Sequence, residues 1–147
     1  MKWHYNLLIG VINGLEEIFL LNKPAIKVVD KLIDENKKWG ARDRKFVSST
    51  IFDTVRWIRK YGYCSNIKEL ATRKNLWDIL GTAIVLKGQI IPNLMEFSNI
   101  NSKEILKNES EIINNRKINE SIPDWLDQIG INDFGESLWN KEVSAFN

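Results

Sequence analysis

The stretch KKWGARDRKFVSSTIFDTVRWIRK, residues 37–60, carries two patterns at once. Phe46, Val47, Thr50, Ile51, Thr54, Val55 and Ile58 recur at intervals of three and four, which puts them on one side of a helix. Lys45, Ser49, Asp53, Arg56 and Lys60 fall on the other side, with Arg59 at its margin. Lys37 and Lys38 precede this helix, and Arg42, Asp43 and Arg44 open it. One reading is a solvated helix face, the usual fate of charged stripes. The other is contact with phosphates, because cations at helical spacing neutralise several phosphates and release their counterions. Arginine also forks onto phosphate oxygens. Ser48 and Ser49 are small enough to let a backbone approach. Asp43 is placed to cap the helix start.

The same helical period extends in both directions. Leu8, Val11, Ile12, Leu15, Ile18 and Phe19 form one face of a first helix. Asn22, Lys23 and Pro24 break it and restart the chain, and Ile26, Val29, Leu32 and Ile33 are the expected buried stripe of a second helix. Gly40 is expected to close that helix and Gly62 the third. A fourth is expected over residues 75–87, with Leu76, Ile79, Leu80, Ala83 and Ile84 inside and Gly88 after it. Residues 89–94, QIIPNL, read as a connection. The Asn-rich span 99–120 holds a weak helix, started by a capping box of Asn101 and Glu104 and anchored by Ile105, Ile112 and Ile113. SIPDWLDQIG restarts regular structure, Gly130 is its expected stop, and a last helix carries Phe134, Leu138, Trp139, Val143 and Phe146. No segment alternates with a period of two, so the expected fold class is all-α.

With 147 residues, 44% of them hydrophobic, the chain can build one globular core. Its net charge of +2 is unevenly placed. Residues 31–60 hold nine Lys/Arg against four Asp/Glu, a local +5, and residues 101–147 hold five against nine, a local −4. The lone cysteine, Cys64, excludes an internal disulfide, and with the lone histidine, His4, it cannot build a zinc cluster. That fits a reducing compartment, and a cytoplasmic location is expected. No apolar run reaches transmembrane length, and MKWHYNLLIG, followed by Glu16 and Glu17, reads as a helix and not as a signal peptide. GVINGLEE lacks the preceding strand and third glycine of a nucleotide loop. Cys64 has no basic partner identifiable in the sequence, and adjacent Glu16 and Glu17 point apart on a helix, so no catalytic constellation is present. Trp57, Trp77, Trp125 and Trp139 are expected in the core. Trp3 and Trp39, beside Lys2 and Lys38, could instead stack on unpaired bases.

The segment KVVDKLIDENKKWGARDRKFVSSTIFDTVRWIRKY, residues 27–61, resembles the N-terminal region of the RsmB/Sun family of RNA cytosine-5 methyltransferases. The resemblance is carried by Ala41, Arg42, Asp43 and Arg44, followed by the apolar helix that ends in Val55, Arg56 and Trp57. MKWHYNLLIGVINGL and RKNLWDILGTAIVLKG look like a subgroup of that family common in Bacteroidetes-type bacteria, and the segment from Ser121 onward resembles its lead into the catalytic half. The resemblance implies a NusB-like helical bundle over residues 1–118 and a helical lead-in over 119–147, toward a catalytic domain outside this sequence. The abrupt end at Asn147 suits that expectation. It implies RNA contact, with rRNA expected, through Lys37, Lys38, Arg42, Arg44, Lys45, Arg56, Arg59 and Lys60, with capping or an internal salt bridge as the alternative for Asp43 and Arg44. S-adenosylmethionine and the family's cysteines would belong to the catalytic domain. Their motifs do not occur here and Cys64 matches neither cysteine, so no cofactor, metal or catalysis is expected of this chain alone. Two alternatives stay open: a protein-interaction module, whose partner the acidic final third would suit, and an antitermination-type factor.

Overall fold

The computed structural model describes residues 3–145, which form eight α-helices, one 3-10 turn and no strand. The element that organises them is α1 (Tyr5–Phe19), whose buried residues Leu7, Leu8, Val11, Ile12 and Leu15 repeat at helical spacing. It packs against α2 (Ala25–Glu35), α3 (Ala41–Arg56) and α5 (Arg73–Leu86). Their shared core contains Leu8, Val11, Ile12, Leu15, Val47, Ile51, Leu76 and Leu80, all essentially inaccessible to water. Burying each such side chain contributes on the order of 2 kcal/mol. Helix α5 is buried over almost its whole circumference because α4 (Ile58–Cys64) and α6 (Ser102–Glu111) cover the sides that α1 leaves. Its start is fixed by a reciprocal cap between Thr72 and Asn75.

The buried stripe of α2 is Val28, Val29 and Leu32. Ile26, expected among them, is exposed, because it lies roughly 110° around the helix from the centre of that stripe. Three glycines expected to stop helices do other things. Helix α2 ends at Glu35, where the Asn36 side chain donates to the Leu32 carbonyl and its backbone leaves the helical region. Gly40 instead precedes α3 in extended conformation. Gly62 lies inside α4, and the break after α3 falls at Trp57. Gly130 lies inside α8 (Asp124–Ala145), whose break is at Gly135, in the left-handed range at φ 76°. A Cβ on Gly130 would meet the Trp139 ring at 2.1 Å, so the glycine is where the second half of α8 folds back against the first.

After α6, which Asn101 caps by accepting from the Glu104 N–H, the short α7 (Arg116–Asn119) leads into α8. Glu104 does not close the expected box; its carboxylate accepts from Asn66 instead. Ile105 and Ile112 are buried, but Ile113 is exposed because α6 has already ended and only one of the adjacent isoleucines can turn inward. A small separate core of Ile122, Trp139 and Val143 holds the broken α8. Beneath it, Asp127 accepts from Arg116 at 2.6 Å and from the Trp139 indole at 2.8 Å. Arg116 holds the Asp127 carboxyl below its ordinary value, against the opposing effect of burial. Trp125 is exposed and not in the core, lying roughly 170° from the inward face made by Leu126, Asp127, Gly130 and Ile131. Phe134 and Leu138 are about half exposed, at 48% and 47%. Phe146 lies outside the described residues.

Candidate nucleic-acid interface

Two of the three α3 positions that define its inner face, Val47 and Ile51, pack onto α1, and Thr54 returns its hydroxyl to the Thr50 carbonyl. This fixes the rotation of the helix and therefore the direction of its cations. At the start of α3, Arg42, Arg44 and Lys45 are exposed, as are Lys37 and Lys38 in the preceding turn. No hydrogen bond or ion pair from these five side chains to any described residue is present. Residues 37–45 hold these five cations against one acid, Asp43, a local +4. The helix start has no side-chain cap: Asp43 stands in the first turn without making the expected bond. The first bonded amide is Arg44, to the Gly40 carbonyl, so the earlier N–H groups of the turn face outward with the positive end of the helix dipole.

The other end of the cationic row is arranged differently. Arg56 donates to the carbonyls of Glu120 and Ser121 at 2.9 and 3.0 Å and lies 4.4 Å from the centre of the Trp57 ring. Arg59 donates to the Ile122 carbonyl at 2.7 Å and pairs with Asp124 at 2.9 Å. That guanidinium, with Lys117 behind it, holds the exposed Asp124 carboxyl below its ordinary value. Lys60 pairs with Glu109 at 3.3 Å and lies over the Trp57 ring. Asp53, in the middle of the stripe, accepts from Tyr61 and Lys87. Ser48 and Ser49 donate to carbonyls of their own helix. The eight sequence-derived positions therefore divide. Lys37, Lys38, Arg42, Arg44 and Lys45 form one open apex, while Arg56 and Arg59 bind residues 120–124 to α3 and α4 and Lys60 ties α4 to α6.

Sequence reading missed what lies beside the apex. A groove of about 820 Å³ opens between α1, the end of α2 and the start of α3. Trp39 is one of its walls, its indole seated on Gly10, where a Cβ would meet the ring at 2.8 Å. Asn6 and Asn13 also line it, and their spacing around Gly10 is the signal that could have located it. Trp3, the other tryptophan weighed as a base stacker, packs edge-on against Phe46 and donates to the Ile90 carbonyl.

Among the described residues no group of three or more His, Cys, Asp or Glu is placed to hold a metal, and no helix is long and apolar enough to cross a membrane. No protein-family model, curated protein or solved structure matches this chain.

Proposed function

We propose that this helical chain is an RNA-binding module that presents rRNA to the catalytic domain of an S-adenosylmethionine-dependent cytosine-5 methyltransferase. The observation that carries the RNA reading is the apex: five cations without a partner among the described residues, gathered at an uncapped helix start. Elsewhere in the cationic row the charges have partners inside the molecule, so this cluster is the one whose neutralisation is left to a ligand. Phosphates suit it, because the site offers both guanidinium forks and outward backbone N–H groups. The enzyme it would serve is supported by the sequence resemblance, and the cofactor would lie in that other domain.

The test is affinity for a structured rRNA fragment across a salt series. Wild type is compared with Lys37→Glu, Lys38→Glu, Arg42→Glu and Lys45→Glu combined. The variant avoids Arg56, Arg59 and Lys60, whose removal would loosen the fold. The expected result is binding that weakens steeply with salt, with log K falling by about 0.7–0.9 per phosphate for each tenfold rise. The folded variant should lose most of the affinity and the slope. Equal behaviour of the two proteins would reject the reading.

A protein-interaction role is favoured by a different observation. Trp125, Ile129, Phe134 and Leu138 leave apolar surface exposed on α8, near Asp124, Asp133 and Glu136. Persistence of partner binding in the apex variant, with no RNA affinity in wild type, would support that role.

A further inference from the structure

We infer that the groove beside the apex is a pocket for one unpaired guanine of the RNA. The inference rests on the RNA reading above and adds a base specificity to it. Asn6, Asn13, Asp34 and Glu35 contribute polar side chains that make no hydrogen bond or ion pair with any described residue. Around Trp57, by contrast, Asp53, Arg56, Arg59 and Lys60 are all paired. These polar groups are not a loose surface collection. Asn6, Gly10 and Asn13 share one face of α1, and the Trp39 indole rests on the middle position. The ring is thus flanked by a carboxamide one turn away on each side. Asp34 and Glu35 arrive from the last turn of α2, and Lys37 and Lys38 line the same groove where it joins the apex.

The chemistry of that lining selects among bases. A flat aromatic wall takes a base by stacking, whatever its identity. A carboxylate offers two acceptors side by side, which match the N1–H and N2–H donors on guanine's Watson–Crick edge. Adenine presents an acceptor at N1 and is repelled there. A phosphate cannot lie beside Asp34 and Glu35, but it can lie on Lys37 and Lys38 at the groove's other margin. One guanosine therefore fits with its base toward the end of α2 and its phosphates toward the apex. The volume exceeds that of a nucleotide, so no side chain has to leave.

The experiment uses the full chain and two nine-nucleotide RNAs, uridine tracts with a single central guanosine or adenosine. Affinities are measured by fluorescence anisotropy for wild type, for Asn13→Ala, and for Asp34→Asn combined with Glu35→Gln. All three altered positions are exposed, so the variants should fold. Wild type is expected to prefer the guanosine RNA about tenfold or more, the discrimination of one good bidentate contact. Both variants should bring the two RNAs within about twofold, with adenosine-RNA affinity kept or raised. Equal, salt-sensitive binding of both RNAs by wild type overturns the guanine pocket and leaves the backbone reading standing. A preference that both variants retain also overturns it, since the base is then read elsewhere. Failure of wild type to bind either RNA overturns the pocket, and the salt series with structured rRNA then decides separately whether the RNA reading falls too.

Discussion

The two ends of one cationic row differ in how they are held. At and just before the start of α3, five cations face solvent with no partner among the described residues, whereas Arg56, Arg59 and Lys60 are held by backbone carbonyls, carboxylates and an indole face. The residue types are the same, and in sequence the helical spacing runs through both ends. What separates them is distant chain, α6 at Glu109 and the segment 120–124, which lies against one end and not the other. Charge written in a sequence is therefore not charge available to a ligand. The acidic, carbonyl-bearing stretch that closes the second end turns cations into fasteners.

The contrast can be broken most forcefully from the fastened side. Asp127→Ala removes the buried carboxylate from the largely buried guanidinium of Arg116, which keeps Glu136 and Asn140, and leaves the buried Trp139 indole N–H without its acceptor. Its expected cost is about 3–4 kcal/mol, read by urea denaturation. Because Arg116 lowers the Asp127 pKa, this contribution is fully present above the ordinary carboxylate range. It is lost only as pH falls through the depressed folded value. Acid titration by tryptophan fluorescence should therefore show α8 loosening below about pH 4 in wild type. Loosening already under way at pH 6 would contradict the assignment. Gly135→Ala places a side chain where the backbone is left-handed and nearly extended in ψ, and should cost about 1–3 kcal/mol by the same urea measurement. Arg56→Ala leaves the Glu120 and Ser121 carbonyls without their donor and should cost about 1–2 kcal/mol. Arg44→Ala, at the open end, should change stability by less than about 0.5 kcal/mol while weakening RNA binding. If Arg44→Ala were as destabilising as Arg56→Ala, the two ends would not differ as described.

Much of the fold is legible in the sequence because helices that bury one stripe must repeat it. The faces of α1, α3 and α5 follow from that rule alone. Helix ends are harder. Gly40, Gly62 and Gly130 all look like stops, but a glycine marks either a left-handed turn or a close approach, and the sequence does not distinguish these. Of the glycines only Gly88 and Gly135 have positive φ, and Gly130 is needed for the Trp139 ring. The ends of α2 and α3 depend instead on Asn36, whose side chain folds back on Leu32, and on Trp57. For the site, the apex was legible because its cations are local. The engagement of Arg56 and Arg59 was not, because their acceptors are backbone carbonyls, which every residue carries and no composition reveals. The groove around Trp39 was hidden for a related reason, since its lining comes from three helices.

Cys64 supplies a reporter that needs no engineering. Its thiol is fully buried, and burial, with Glu109 adding and Lys60 opposing, pushes its pKa up to about 11. Neither an alkylating reagent nor a disulfide dye can react with it until the packing of α4 against α6 gives way. The rate of labelling is therefore a stopwatch for the opening of the fastened half of the molecule. Run with and without RNA, the same stopwatch reveals whether a ligand held at the open end tightens the distant one or leaves it to open at its own pace.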